Sequence, residues 1–546
     1  MSVEKIGIIG DGTVGSALKE LAESAGITVV VEDAANLTTL AGAQLVIEAL
    51  PERFELKAQA LEAAAKVADE TATLVTTTST LSVTDLGLAA GVPGRTVGLK
   101  LALPASKRTL AEVVRTPLTD EASVTAVSEL VQALGRTEAI VDDRPGFITS
   151  RLLLGYLNHA VMMVEANYAT KEDVDAAMRF GCGYPVGPIA TVDAIGLDVF
   201  VDSLNALHAV TGERVHAPSP ILRQLVAAGH VGQKSGKGFY QYAGPGSTEI
   251  VAQDEAAGSD AVQAREISKV GVVGSGTMAT GIIEVFVKAG YEVTYVARSP
   301  EKVERVRAAL TKSLDKQVAK GRLEETQRDE ILARTHGITA VSGLDQVDLV
   351  VEAVVEDLDV KLELFRNLDA TCKPGAVLAT TTSSLPVTKM AAIIKRPQDV
   401  VGLHFFNPAP IMKLVEIVAT VDTADDVVAT AHDVCQKTRK VAVECGDRGG
   451  FIVNALLFPY LNDAVRMLDA HYATKEEIDA AAKAAFGFPM GPFALLDVVG
   501  NDVSLAIQEV LLDEFNDPGF EPAKSLTDVV SAGYLGRKTK RGFYQY

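Results

Sequence analysis

Short apolar runs alternate with longer stretches of helical period. In the second half of the chain the runs are Lys269 to Val273, Val293 to Val296, Leu349 to Ala353 and Val377 to Thr380. Each has strand length, and amphipathic helical pattern separates them. That alternation predicts a parallel, doubly wound sheet. From about Gly450 the period becomes helical almost throughout, with long amphipathic stretches over Phe451 to Asp469 and Lys475 to Ala485. The pattern thus predicts an α/β region followed by an all-helical one.

The same order occurs twice. Gly238 to Tyr242 (Gly-Phe-Tyr-Gln-Tyr) recurs as Gly542 to Tyr546, and Tyr168 to Glu172 recurs as Tyr472 to Glu476, both at an offset of 304. Near the start of each copy the offset is 264, from Gly10 to Gly274, so the second copy carries 40 extra residues between Val296 and Val341. Two large copies exclude a long solenoid array. The breaker-rich Ala243 to Thr248 and the acidic, Ala-rich stretch to about Glu266 read as a linker. The expected division is residues 1–140 α/β, 141–242 helical, 243–266 linker, 267–443 α/β and 444–546 helical.

Composition narrows the field. With 48% hydrophobic and 22% charged residues, this is the balance of a globular chain. The net charge of −20 argues against a nucleic-acid partner. It leaves room for an anionic small ligand, which helix N-termini and a few local cations can hold. The four cysteines, Cys182, Cys372, Cys435 and Cys445, show neither CxxC nor zinc spacing, so reduced thiols and no metal site are expected. The N-terminus runs from Met1 into the strand-like Ile6 to Ile9 without a signal-peptide pattern, and no apolar run has membrane-spanning length. The expected location is the cytoplasm.

Each copy opens with a dinucleotide fingerprint: Gly10-Asp11-Gly12-Thr13-Val14-Gly15 and Gly274-Ser275-Gly276-Thr277-Met278-Ala279. Both follow an apolar strand and open a helix. The first glycine permits the tight turn, the second lets a pyrophosphate reach the backbone, and the third position, Gly15 or Ala279, must be small for packing. The end of the next strand should choose the cofactor. Glu32-Asp33 in the first copy suits a ribose 2′-hydroxyl and hence NAD, with Asp33 the acceptor. In the second copy Val296-Ala297 is followed by Arg298-Ser299, which suits a 2′-phosphate and hence NADP, with NAD as the alternative.

The second copy then reads Thr381-Thr382-Ser383-Ser384, next Leu403-His404-Phe405-Phe406-Asn407-Pro408 through Met412-Lys413-Leu414-Val415-Glu416, and later Asp447-Arg448-Gly449-Gly450-Phe451-Ile452-Val453-Asn454. These motifs resemble the 3-hydroxyacyl-CoA dehydrogenase family, over all of the second copy and less completely over the first. The resemblance implies two Rossmann-type doubly wound domains, each followed by an all-α C-terminal domain of that family. It implies reversible oxidation of (3S)-3-hydroxyacyl-CoA to 3-oxoacyl-CoA. His404 would be the general base, Glu416 the carboxylate orienting it, and Ser383 and Asn454 the holders of the substrate oxygens; Glu356, Lys361 and Asn407 would touch the cofactor. Histidine suits the work because it titrates near neutrality and can both take and return a hydroxyl proton. Two departures stand out: the family's Asn before Thr-Ser-Ser is Thr381, and its Pro and Arg in the last motif are Gly449 and Ala455.

The 40-residue excess, roughly Ser299 to Thr339, has the period of two helices joined near Gly321. In the resembled family a helical hairpin here contacts CoA, and Ser313 and Lys320 occupy the matching positions. The first copy lacks the hairpin, and at the 304 offset Lys100 replaces His404, Leu103 replaces Asn407 and Ser150 replaces Asn454, while Ser79 and Glu112 match Ser383 and Glu416. The first copy is therefore expected to be degenerate, a structural partner with at most a vestigial NAD site at Gly10, Gly12, Gly15 and Asp33. The two helical regions are expected to pack as a pseudo-dimer within one chain, with further homo-oligomers left open. Two rivals remain at this point: a dehydrogenase of free hydroxy or sugar acids, and a non-catalytic nucleotide-binding scaffold.

Overall fold

The computed structural model describes residues 3–33, 37–102, 105, 107–252 and 262–546. Leu103 and much of the expected linker lie outside the described residues. The first sheet holds β1 Lys5–Ile9, β2 Thr28–Glu32, β3 Leu45–Glu48, β4 Thr73–Thr76, β5 Thr96–Leu101, β6 Leu110–Arg115 and β7 Thr137–Asp142, in the order β2-β1-β3-β4-β5-β6-β7. The second holds β8 Lys269–Val273, β9 Glu292–Val296, β10 Thr335–Ile338, β11 Leu349–Glu352, β12 Val377–Thr380, β13 Val400–Phe405, β14 Leu414–Ala419 and β15 Val441–Gly446, in the order β10-β9-β8-β11-β12-β13-β14-β15. Neighbours are parallel except β5–β6 and β13–β14. The first six strands of the second copy have the doubly wound order 3-2-1-4-5-6. The four apolar runs read from the second half are β8, β9, β11 and β12, nearly continuous in burial as strands covered on both faces must be. Among the described residues, helices with a few isolated β-bridges follow each sheet, beginning with Thr149–Glu165 and Val453–Asp469. The last strands, β7 and β15, extend a few residues past the positions 140 and 443 read from the sequence.

The 40 extra residues form the helices Pro300–Ala319 and Glu325–Ala333, with Gly321 at φ +64° between them. They also supply β10, an edge strand that the periodicity did not separate from the hairpin. The hairpin packs through Val306, Leu310 and Leu314 into the core that holds Ile283 and Val287 of helix Thr277–Lys288. At the 264 offset those two positions are Lys19 and Glu23, both exposed. The first helix of each copy thus already encodes whether a hairpin will cover it.

The helical regions of the two copies share one core. Residues related by the 304 offset meet each other: Tyr184 stacks on Phe488 with centroids 3.6 Å apart, and Tyr156 lies 5.9 Å from Tyr460. Self-pairing of equivalent residues is the signature of an isologous, two-fold interface, here closed inside one chain. Helix Lys171–Cys182 of the first copy lies on β14 and β15, and helix Lys475–Phe486 of the second lies on β6 and β7. These four aromatics are buried, each worth roughly 1.5–3 kcal/mol in apolar burial. Among the described residues no helix is long and apolar enough to cross a membrane.

Candidate active site

The antiparallel pairing of β13 with β14 sets His404 directly opposite Glu416. Opposed residues of such a pair project to one face with their side chains in reach of each other. His404 Nδ1 lies 2.6 Å from Glu416 Oε2. The other carboxylate oxygen, Oε1, accepts the backbone amides of Ile452 at 3.0 Å and Val453 at 2.8 Å. Those amides open helix Val453–Asp469, where unpaired N–H groups favour an anion. One buried carboxylate therefore joins the sheet, the helical region and the imidazole. A carboxylate only accepts, so the shared proton sits on Nδ1 and Nε2 keeps a free lone pair. Phe406 and Phe451 flank the ring at centroid distances of 4.5 and 5.5 Å, leaving His404 only 5% exposed.

Asn454 occupies the first turn of the same helix, and its Nδ2 lies 3.4 Å from the carbonyl oxygen of Ser383. Two of the implied substrate-holding residues are thus in contact. Glu356 Oε1 accepts the Ser383 amide at 2.9 Å and the Thr382 hydroxyl. Burial pushes the Glu356 carboxyl up, but Lys361 with the Thr382 and Ser383 donors holds it below its ordinary range. Lys361 itself is 1% exposed. Its ammonium sits on Glu352 at 2.7 and 2.8 Å and lies 3.4 Å from Glu356. Lys57, Glu48 and Glu52 repeat this arrangement in the first copy, at 3.0 Å and 3.8 Å. The pair is thus kept in both copies, and Lys361 meets the loop through Glu356.

The glycine loop has the shape a dinucleotide needs. Gly274 has φ +145°, and a Cβ there would stand 2.3 Å from the Ala353 carbonyl oxygen. Ala279 is fully buried. A Cβ on Gly276 would meet no protein atom within 4 Å. Nothing in the protein requires glycine at 276, which fits a ligand approaching the backbone there. Gly12 in the first copy is open in the same way, and Gly10 has φ +104°. Arg298 is exposed, with no hydrogen bond or ion pair among the described residues. Ser299 does not accompany it, because its hydroxyl caps helix Pro300–Ala319. Asn407 is exposed in the turn between β13 and β14. In the hairpin, Lys320 is exposed, but the Ser313 hydroxyl is donated to Glu284 at 2.7 Å and pins the hairpin to helix Thr277–Lys288.

In the first copy the Lys100 ammonium lies 3.2 Å from Glu112 Oε2 and donates to the Thr149 hydroxyl. Glu112 Oε1 still accepts the amides of Ile148 at 2.9 Å and Thr149 at 3.1 Å. The carboxylate keeps its place at the helix start, and a lysine fills the position of the imidazole.

Models of two domains each match the chain twice: the 3-hydroxyacyl-CoA dehydrogenase NAD binding domain over residues 31–144 and 269–448, and the 3-hydroxyacyl-CoA dehydrogenase C-terminal domain over residues 146–242 and 450–546. The chain belongs to the 3-hydroxyacyl-CoA dehydrogenase family. It is an oxidoreductase of that family, which favours the acyl-CoA reading over the free-acid and scaffold rivals. The chain is 44% identical over 290 residues to 3-hydroxybutyryl-CoA dehydrogenase of Mycobacterium tuberculosis, covering 53% of this chain and 100% of that one. It is 40% identical over 288 residues to the mitochondrial hydroxyacyl-coenzyme A dehydrogenase of Mus musculus, covering 51% and 91%. Among solved structures, (S)-3-hydroxybutyryl-CoA dehydrogenase from Ralstonia eutropha matches at 38% identity and TM-score 0.51, covering 52% of this chain and 99% of that one. These relatives match about half of this tandem chain.

Sequence reasoning missed the two helix-start amides on Glu416, the Glu352–Lys361 pair and the Thr382 hydroxyl. The repeat itself carried a signal for the pair, since Glu48 and Lys57 recur at the same offset as the fingerprints' downstream motifs.

Proposed function

We propose that the chain performs its family's reaction, reversible oxidation of (3S)-3-hydroxyacyl-CoA to 3-oxoacyl-CoA, at one site in the second copy. The observation that carries this is the buried His404–Glu416 pair at 2.6 Å, beside Asn454 and Ser383. His404 Nε2 takes the proton of the 3-hydroxyl, and Glu416 stabilises the resulting imidazolium. Ser383 and Asn454 hold the substrate oxygens. A bound nicotinamide supplies the hydride chemistry; Gly274, Gly276 and Ala279 would cradle its pyrophosphate, with Arg298, Glu356, Lys361 and Asn407 around it. Lys320, with Ser313 behind it, would face the CoA moiety.

The unpartnered Arg298 and the absence of a carboxylate at Val296-Ala297 favour NADP over NAD in this copy. The first copy, with Lys100 committed to Glu112, carries no turnover, and its Gly10, Gly12, Gly15 and Asp33 would hold NAD without chemistry. The chain divides into an α/β region ending with β7, a helical region to about residue 242, the 243–266 linker, an α/β region ending with β15 and a closing helical region, forming a pseudo-dimer inside one polypeptide, and works in the cytoplasm. The names of several relatives favour a short acyl chain, so 3-hydroxybutyryl-CoA is the first substrate to test. His404→Gln should lower turnover by about 10²–10⁴-fold while cofactor still binds; near-normal turnover would end the reading. Arg298→Ala should raise KM for NADP and not for NAD, and an unchanged KM for NADP would reject the NADP preference.

A further inference from the structure

The two copies touch each other unequally, and the tighter contact falls on the catalytic copy. Tyr168 of the first copy donates its hydroxyl to the Gly446 carbonyl oxygen at 2.7 Å, across the interface. Its ring lies against the Gly446 backbone, where a Cβ would come within 3.3 Å of Cε2. Arg448 stacks on the other part of the ring at 3.8 Å from the centroid. Gly446 ends β15, and the turn that follows carries Asp447, whose carboxylate holds the amides of Val387 and Thr388 beyond Ser383. That turn then delivers Ile452, Val453 and Asn454.

The mirror contact is loose. Arg144 lies 6.0 Å from the Tyr472 centroid, and the Tyr472 hydroxyl makes no hydrogen bond among the described residues. Asp142 stands where the second copy has Gly446. A second asymmetry lies one helix further on. Gly181 lets helix Lys171–Cys182 close on the second copy so tightly that a Cβ would stand 2.9 Å from Leu414 Cδ2 and 3.0 Å from Val453 Cγ2. Leu414 is two residues before Glu416 on β14, and the Val453 amide is one of the two that hold Glu416. The mirror residue of Gly181 is Ala485.

We propose that Tyr168 and Gly181 of the degenerate first copy are positioning residues for the active site of the second, acting through the 446–454 turn and β14 to fix Glu416 and hence His404. The first copy then has a catalytic reason to persist, and the sequence differences between the copies record the division of labour. This rests on the reading of His404 as base.

The test uses the full chain, with 3-hydroxybutyryl-CoA and nicotinamide cofactor, assayed well below the melting temperature. Tyr168→Phe should lower kcat about tenfold, since small misplacements of a catalytic group are costly. It should leave KM for the cofactor within about twofold and should move the pH dependence of kcat. Tyr472→Phe, the mirror change, should leave all three unchanged. Gly181→Ala should reproduce the fall in kcat by a different contact. The proposal is overturned if Tyr168→Phe keeps the wild-type kcat and pH profile, or if both tyrosine variants fall alike, which would mark a merely structural interface. If His404→Gln remains active, the underlying reading fails instead; if it is dead while Tyr168→Phe and Gly181→Ala are normal, only the positioning claim fails.

Discussion

Replacing Glu416 by Gln separates the two tasks of one carboxylate. Gln keeps the shape but offers a single acceptor oxygen. The amides of Ile452 and Val453, at 3.0 and 2.8 Å, demand that oxygen, since an amide nitrogen cannot accept. The side-chain NH2 must then face His404 Nδ1, where the carboxylate oxygen stood at 2.6 Å. Nδ1 is forced to accept, the ring proton moves to Nε2, and the lone pair that should receive the substrate proton is gone. A positioned base contributes roughly 10²–10⁴-fold, and a hydrogen bond to a charged group is worth about 1.5–3 kcal/mol. These overlap, so kcat should fall on the order of 10³-fold. Both helix-start amides stay paired, so stability should drop by only about 1–2 kcal/mol. Glu416→Ala would instead orphan both amides and should cost several kcal/mol more, at about 1–3 kcal/mol for each buried donor. The first copy supplies the control: Glu112→Gln should destabilise without touching kcat. The assay follows the near-ultraviolet absorbance of reduced nicotinamide in both directions, with melting curves alongside. A Glu416→Gln enzyme within about tenfold of wild type, or a Glu112→Gln enzyme that loses as much turnover, would refute the tautomer argument.

Gly276→Ala should weaken cofactor binding with little change in melting temperature, because the added Cβ meets no protein atom within 4 Å; unchanged binding by calorimetry would show that the backbone is not approached there. Lys100→Ala should leave kinetics alone but cost about 3–5 kcal/mol, since it strips the cation from a buried Glu112, and a large loss of turnover with the fold intact would implicate the first copy in chemistry. His216 is 1% exposed, and burial with nearby Arg151 pushes its imidazole down to about 3. A histidine depressed this way binds its proton in the unfolded chain first. Its stabilising effect is therefore present above about pH 6.5 and is lost as pH falls toward 3, at no more than about 1.4 kcal/mol per pH unit. His216→Asn should flatten the melting temperature against pH over that window; an unchanged slope would show that this group does not titrate as argued.

Local pattern carried much of this molecule. Strand and helix periods, glycine spacing and the 304-residue repeat lie in contiguous stretches, because burial on one or two faces imposes a fixed period. The motif from His404 to Glu416 was legible, although its spacing alone did not bring the two together; the antiparallel register did. β10 escaped because a four-residue edge strand directly behind the helical hairpin has too few positions to show a period. For Ser313 and Lys361 the resemblance implied ligand contacts; the sequence shows a polar side chain but not its protein partner, and the structure supplies Glu284 for one and Glu352 for the other. The helix-start amides on Glu416 are backbone groups, which no side-chain pattern reports. The sequence by itself determined two doubly wound sheets, two helical regions and one copy bearing the imidazole. Only the tertiary structure brought Tyr168 and Gly181, more than 200 residues from His404 and Glu416, against Gly446, Leu414 and Val453, because that contact depends on how two apolar faces meet.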